Sequence, residues 1–593
     1  MDQLPLEIKH IIAQWADENK SKESLQALSK VNRQWNKIAS SVLYRNLVIR
    51  LNSQGEIPRK LLLPPDTRSV LTHVKTLSLV AELVPPKPGV RGTDDIPHVL
   101  ERLRLGELDN PAFHRVGRYG KGDWTFIADF IRQIPSLQNA NLLIQNGGPV
   151  ELFEVLSDYH PTCRVSIFTS WPFPSRGSYQ VINKHWALSP MLHAVHVSDY
   201  SKEMSRPGLT HSDYLLKKLI LQSPQIKEAS LQTTTNPYGG MRPHDPKHNQ
   251  GLLVEDGSLN KTPTGKLQRL IWPLKSKMTA EQFKEWQMVT DFSLLESWTI
   301  GCVEDSALLQ TIADIHPFQQ LTRLTLALVA PKGDVDDTLE FWRAAESTFH
   351  SLPPLTYLWL LGSFKPAFFN RGVLAKHGLT LLELRLYTGP GVIQDINTLS
   401  YTLEGQIAPA FSSDDISELA GQCPSLQKLF ICAQRSQDLG TDVWNALGRF
   451  PSLQELDLTL KCSPEMDANM MPVPPRELSE FEKGVLVEYR ASCRRWFIRD
   501  CIINCSINES LAKAYFTHIR ACQDEKRFAQ LVLRPLYNTV PGRDYFNHLA
   551  LTWTIELSAL TGLHAKCKKT SESRVPTLET SFGAEMISIF RSI

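Results

Sequence analysis

Long apolar runs are missing from this chain. No stretch of its 593 residues approaches the roughly 20 apolar side chains a membrane span requires. The first residues, Met1-Asp2-Gln3-Leu4-Pro5-Leu6-Glu7, include acids and lack the apolar centre of a signal peptide, so export is not expected. Net charge is nearly absent too: 64 Lys+Arg against 62 Asp+Glu leave +2. That balance removes any global electrostatic reason for nucleic acid or an anionic membrane as partner. Cysteine is sparse, 10 residues in all, scattered through hydrophobic segments such as Phe430-Ile431-Cys432 and Cys501-Ile502-Ile503. Such placement fits reduced, buried thiols rather than a disulfide framework. A cytoplasmic or nuclear location is the resulting expectation.

Familiar catalytic signatures are also missing. There is no phosphate-cradling Gly-rich loop, no His-Glu-x-x-His, no Gly-x-Ser-x-Gly elbow and no kinase signature. Cys501 and Cys505, with Cys493 upstream, lack the tight Cys-x-x-Cys pairs of a zinc site, and core cysteines are the better reading. His244 and His248 flank Pro246, which disfavours the helix that would align them. Arg494, Arg495, Arg499, Lys566, Lys568 and Lys569 form short basic clusters of the kind that ordinarily sit on a solvated surface. No catalytic residue, metal ligand or cofactor is assigned from the sequence. A site built from converging Asp, Glu, His or Cys stays open only as an unfamiliar arrangement.

Hydrophobic residues make up 42% of the chain and charged residues 21%, the balance of a folded protein. Its length exceeds one ordinary core, so several domains or one extended array are expected.

The first fifty residues read as three short helices. Leu4, Ile8, Ile11, Ile12 and Trp15 recur at helical spacing, followed by Leu25, Leu28 and Val31, then Trp35, Ile38, Ala39, Val42 and Leu43. Asn32 is placed to cap the third helix. So small a module cannot bury all this apolar surface by itself, which implies either a partner or a cap on a repeat array. Leu4-Pro5-Leu6-Glu7-Ile8 and the run from Leu25 to Trp35, which contains Val31-x-Arg33-x-Trp35, resemble the F-box. Leu43-Tyr44-Arg45-Asn46-Leu47 looks like fungal members in particular. The resemblance implies that Leu4, Pro5, Ile8, Leu25, Leu28, Val31 and Trp35 dock onto the adaptor protein of a cullin ligase.

Beyond residue 50 one phrase recurs, Leu-x-x-Leu-x-Leu, whose alternation marks a short strand. Clear copies centre on Leu324, Leu358, Leu384, Leu429 and Leu456, and weaker ones on Leu77, Ala140, Val195, Ala229, Leu270, Trp298 and Leu531. From Leu270 to Trp298 is 28 residues, from Leu358 to Leu384 is 26, and from Leu429 to Leu456 is 27. These lie within the leucine-rich-repeat period of roughly 20–29 residues. Helical patterns lie between, as in Asp336 to Phe349 with Leu339, Trp342, Ala345 and Phe349, and in the segment capped near Ser412. Pro135, Pro190, Pro224, Pro317, Pro424 and Pro451 each end a helical pattern just ahead of a strand.

The expected fold class is therefore α/β, a short N-terminal three-helix module followed by a leucine-rich-repeat solenoid with a parallel concave sheet and convex helices. Expected boundaries are 1–50 for the helical module, 51–560 for the solenoid and 561–593 for a peripheral tail. Pro- and Gly-rich insertions at 233–264 and 462–478 are either inert or recognition loops. Most of the chain resembles fungal F-box proteins with irregular leucine-rich repeats, in which a late strand precedes an amphipathic segment like Phe546 to Leu557 with its Trp553. The resemblance implies a non-catalytic substrate receptor of an SCF-type cullin ubiquitin ligase; the alternatives are a ligase-independent scaffold and an unrecognised enzyme with its site in the solenoid concavity. For the unknown target, Tyr357, Trp359, Arg385, Tyr387, Lys428 and Phe430 are the candidate binding residues, because they alternate with the framework leucines.

Overall fold

The structure, a computed structural model, describes residues 4–18, 22–51, 71–81, 124–144, 150–171, 189–199, 211–233, 265–273, 277–331, 335–362, 368–386, 410–435, 441–462, 500, 504, 507–536, 552–558 and 562–568. The fold is α/β, with helices set between mostly parallel strands that pair in chain order. Two compact units divide it: Met1–Gly301 with Pro317–Gln320, and Cys302–His316 with Leu321–Ile593.

The first unit opens with helices α1 (Leu6–Glu18), α2 (Lys22–Ser29) and α3 (Arg33–Leu43). Strands β1 (Asn46–Leu51), β2 (Thr76–Ala81), β3 (Asn139–Leu143), β4 (Arg164–Trp171), β5 (Leu192–Asp199), β6 (Glu228–Thr233), β7 (Arg269–Ile271) and β8 (Ser297–Val303) follow, each parallel to the last. Between them lie α4 (Thr125–Arg132), α5 (Val150–Tyr159), α6 (His211–Gln222) and α7 (Ala280–Val289). The second unit holds α8 (Ser306–Ile315), β9 (Arg323–Leu328), α9 (Val335–Ser351), β10 (Tyr357–Gly362), α10 (Leu374–His377) and β11 (Glu383–Arg385). It continues through α11 (Ser413–Gln422), β12 (Lys428–Gln434), α12 (Thr441–Gly448), β13 (Glu455–Lys461), α13 (Glu509–Ala521), β14 (Gln530–Leu536), β15 (Thr552–Ser558) and β16 (Gly562–Lys568). Strands β9 to β14 are parallel, and β15 and β16 then run antiparallel.

The expected framework is one hydrogen-bonded row. Leu324, Leu358, Leu384, Leu429, Leu456 and Leu531 face each other in register across six strands, all buried. In the first unit Leu77, Ala140 and Val165 form one such row, and Val195, Ala229, Leu270 and Trp298 another. A register shift at Val165/Ser166 separates the two rows. A buried leucine contributes about 1.5–3 kcal/mol, so these rows form the apolar core of each unit.

The second residue of the phrase has its own task. The carbonyls of Thr322, Thr356, Leu382, Gln427 and Gln454 each accept two backbone N–H groups from the next strand. Thr322, for example, receives Thr356 at 2.9 Å and Tyr357 at 3.1 Å. The buried leucine just before each carbonyl holds it in place, so each of these strands starts in register with the next.

Buried polar side chains bind successive repeats together on the helix side. His377 accepts from the Leu355 N–H at Nδ1 (3.3 Å) and donates from Nε2 to the Phe349 carbonyl (3.0 Å). His160 meets the Ile131 carbonyl in the same way at 3.0 Å. Gln523 donates to the Phe450 and Leu453 carbonyls and accepts from the Phe528 N–H. Each satisfies backbone groups that would otherwise be buried without partners.

Several expectations are corrected. Asn46–Leu51 is the first strand of the sheet, so the helical module ends at Leu43 rather than at residue 50. Strand β4 is an additional repeat strand, with Thr162, Val165 and Ile167 at the positions of the phrase. In α9 the buried stripe is Phe341, Ala345 and Phe349, and Leu339 is exposed. The tail expected from residue 561 begins as strand β16, and the concluding strands are antiparallel, not parallel.

Candidate docking and recognition surfaces

The three N-terminal helices fold around a small core of Ala13, Ala16, Leu25 and Ile38, with Leu28, Val42 and Leu43 packed against it. Asn32 caps α3, its side chain accepting from the Trp35 N–H at 2.9 Å, as the sequence implied. Trp35 is fully buried. The nearby Lys9, also buried, donates to Gln34 Oε1 at 2.6 Å and lies 6.0 Å from the Trp35 ring centroid.

What this core leaves outside is apolar. Leu6 is 48% exposed, Ile8 41%, Ile11 58% and Val31 52%. Ile8 and Ile11 lie three residues apart on α1 and so share a face. Of the residues assigned to docking, Pro5, Ile8 and Val31 are exposed, Leu4 and Leu28 are half-buried, and Leu25 and Trp35 are internal. The last two are buried within the module rather than displayed on the apolar surface expected of them. Leu6 and Ile11 join the exposed set. Helical spacing already marked Ile11, but spacing cannot tell a core stripe from an outward one.

In the second unit the strand positions alternating with the leucines form a cross-strand stack. The Arg323 guanidinium lies 4.0 Å from the Tyr357 ring centroid. The Arg385 guanidinium is 5.5 Å from Tyr357, 5.6 Å from Trp359 and 4.4 Å from Phe430. Charges here are paired: Arg385 with Glu383 at 2.6 Å, Lys428 with Glu455 at 2.8 Å, and Arg534 with both oxygens of Asp457. Tyr357 and Trp359 are only 3% exposed, which corrects the expectation that they face solvent. Arg385, Lys428 and Phe430 are half-buried, and Tyr387 lies outside the described residues. Register decided this outcome, because it stacks guanidinium and ring on adjacent strands.

The same positions in the first unit are small or neutral. Asn141 donates to Ser78 Oγ at 3.1 Å. His196 stacks on Phe168 with centroids 4.3 Å apart and meets Ser230 Oγ at 2.7 Å. This Ser–His pair has the separation of a nucleophile and its base. Ser230 is completely buried, however, so its hydroxyl serves the polar ladder between β5 and β6. Elsewhere in this unit Lys217 bridges Asp213 (2.9 Å) and Glu285 (2.8 Å), and Trp286 Nε1 donates to Asp213 at 3.1 Å. Burial raises the Asp213 carboxyl above its ordinary range, while Lys217 opposes the rise. The network ties α6 to α7.

Cys493, Cys501 and Cys505, His244 and His248, and Arg494, Arg495, Arg499 and Lys569 lie outside the described residues. So do the two insertions, apart from Thr233 and Cys462 at their starts. Among the described residues no three His, Cys, Asp or Glu side chains gather as a metal cluster, and no helix is long and apolar enough to cross a membrane. In comparisons with known proteins, no family model matches the chain and no curated protein matches it significantly.

Proposed function

We propose that this chain is a non-catalytic receptor subunit of a cullin-type ubiquitin ligase. Its N-terminal helices would hold the adaptor protein and its repeats a target protein. The observation that carries the reading is a three-helix module with a filled core whose surface displays Leu6, Ile8, Ile11 and Val31. Exposed apolar clusters of this kind mark interaction surfaces. The F-box-like residues Leu4-Pro5 and Val31-x-Arg33-x-Trp35 belong to the same module. Framework leucines are occupied in the core, so target recognition falls to the residues between them, including the half-buried Arg385, Lys428 and Phe430. Catalysis in this reading is by position and orientation, with bond making left to a separate enzyme. No cofactor is required, and a cytoplasmic or nuclear setting belongs to the same reading.

The test is co-purification of the adaptor and cullin with the full chain and with the triple variant Ile8→Asp, Ile11→Asp, Val31→Asp. All three side chains are exposed, so the variant should fold like the parent while losing about 2 kcal/mol or more of adaptor binding. Undiminished adaptor capture by the folded triple variant ends the proposal. Adaptor without cullin would instead support an F-box-like scaffold acting outside any ligase.

A further inference from the structure

The free cysteines Cys163, Cys302, Cys423, Cys432 and Cys462 are buried, whereas Cys522 is exposed. It caps the C-terminus of α13, one turn beyond His518, so the two side chains share a helix face. Both converge on one atom of the neighbouring helix α12. His518 Nε2 donates to Asn445 Oδ1 at 2.8 Å, and Cys522 Sγ lies 3.6 Å from the same oxygen. Gly448, one turn after Asn445, makes the approach possible: a Cβ there would lie 2.3 Å from the Cys522 Cβ. A thiol and an imidazole on one helix thus both reach the amide oxygen of a second helix packed beside it, with the thiol exposed at the protein surface.

We propose that Cys522, His518 and Asn445 bind a divalent cation of the zinc class. Sulfur and imidazole nitrogen are the donors such ions prefer, at about 2.3 and 2.0–2.1 Å, with oxygen at about 2.0–2.2 Å. Because imidazole and thiol already lie against the same amide oxygen, an ion taking all three donors needs side-chain rotation only. Binding breaks both hydrogen bonds to Oδ1, displaces the thiol proton to water, moves the imidazole proton from Nε2 to Nδ1, and keeps the fourth tetrahedral position for water. Burial pushes the thiols of Cys163, Cys423 and Cys432 up to about 12, which removes them as competing ligands.

Titration of the full chain with Co2+ tests this, read as thiolate-to-metal charge-transfer absorption and reversed by Zn2+. Relative to Cys522→Ser, the unmodified chain should bind one further equivalent. His518→Gln should weaken that equivalent on the order of tenfold or more, and Asn445→Asp, which supplies a charged oxygen, should tighten it. Cys522→Ser replaces an exposed side chain with one of similar shape, so folding does not confuse the comparison. The proposal is overturned if Cys522→Ser keeps the same absorption and stoichiometry. It is equally overturned if the equivalent is lost in Cys522→Ser but unaffected by both His518→Gln and Asn445→Asp.

Discussion

The N-terminal helices and the repeat strands treat their large apolar side chains in opposite ways. In the helical module Leu6, Ile8, Ile11 and Val31 remain at the surface around a core of a few residues. In the strands of the second unit every framework leucine from Leu324 to Leu531 is buried against the equivalent leucine of the adjacent strand. The difference follows from scale. Three short helices enclose too little volume to cover their own apolar surface, whereas a repeat borrows its cover from the repeats on either side. Exposed apolar residues are therefore available for a partner in one region, and in the other they are the means of holding neighbours together.

This contrast breaks most readily at its centre. Leu429→Ala should destabilise the second unit by roughly 2–5 kcal/mol, through lost transfer energy and the cavity left behind. Denaturant unfolding or hydrogen exchange over β11 to β13 would measure it. Ile11→Ala, on the exposed side of the comparison, should change stability by no more than about 0.5 kcal/mol. Similar losses at both positions would erase the distinction between the regions.

A pH effect sharpens the role of the polar links within the repeats. Burial, reinforced by the charges of Lys376 and His350, lowers the His377 pKa to about 4 despite its bond to the Phe349 carbonyl. The unfolded chain takes up a proton near the ordinary 6.5, so the folded form binds fewer protons between these values. Stability is whole above pH 6.5 and is lost as the pH falls toward 4, by about 3 kcal/mol from this group. His377→Gln should remove that part of the slope in denaturation curves recorded across this range. An unchanged slope would mean that His377 is not held neutral.

Smaller effects belong to the α3 cap and to the outward face of the strands. Asn32→Ala, which removes the α3 cap, should cost about 1 kcal/mol in thermal unfolding of the first unit. Asp457→Asn, which breaks the bidentate but partly exposed pair with Arg534, should cost at most about 1 kcal/mol and less at high salt. Loss of several kcal/mol in the Asp457 variant would place that pair with the core rather than the surface.

The legible parts of this protein are those where a local rule and the tertiary outcome coincide. Leucines at repeat spacing could only alternate as strands, and prolines at 135, 224, 317, 424 and 451 could only end helices. Asn32 and Ser412 announced their caps, and the Ser412–Asp415 capping box is present. What pattern could not decide was which side of an element meets a neighbour. Trp35 and Leu25 point inward while Ile11 and Val31 point outward, though all recur at helical spacing. Tyr357 and Trp359 alternate with leucine as a surface residue would, yet strand pairing lays Arg323 and Arg385 across their rings. His518, Cys522 and Asn445 meet only because α12 and α13 pack side by side, across 73 residues of sequence between Asn445 and His518. Periodicity is a property of one element and is written in the chain, whereas burial and convergence are properties of pairs of elements and arise only once they are packed.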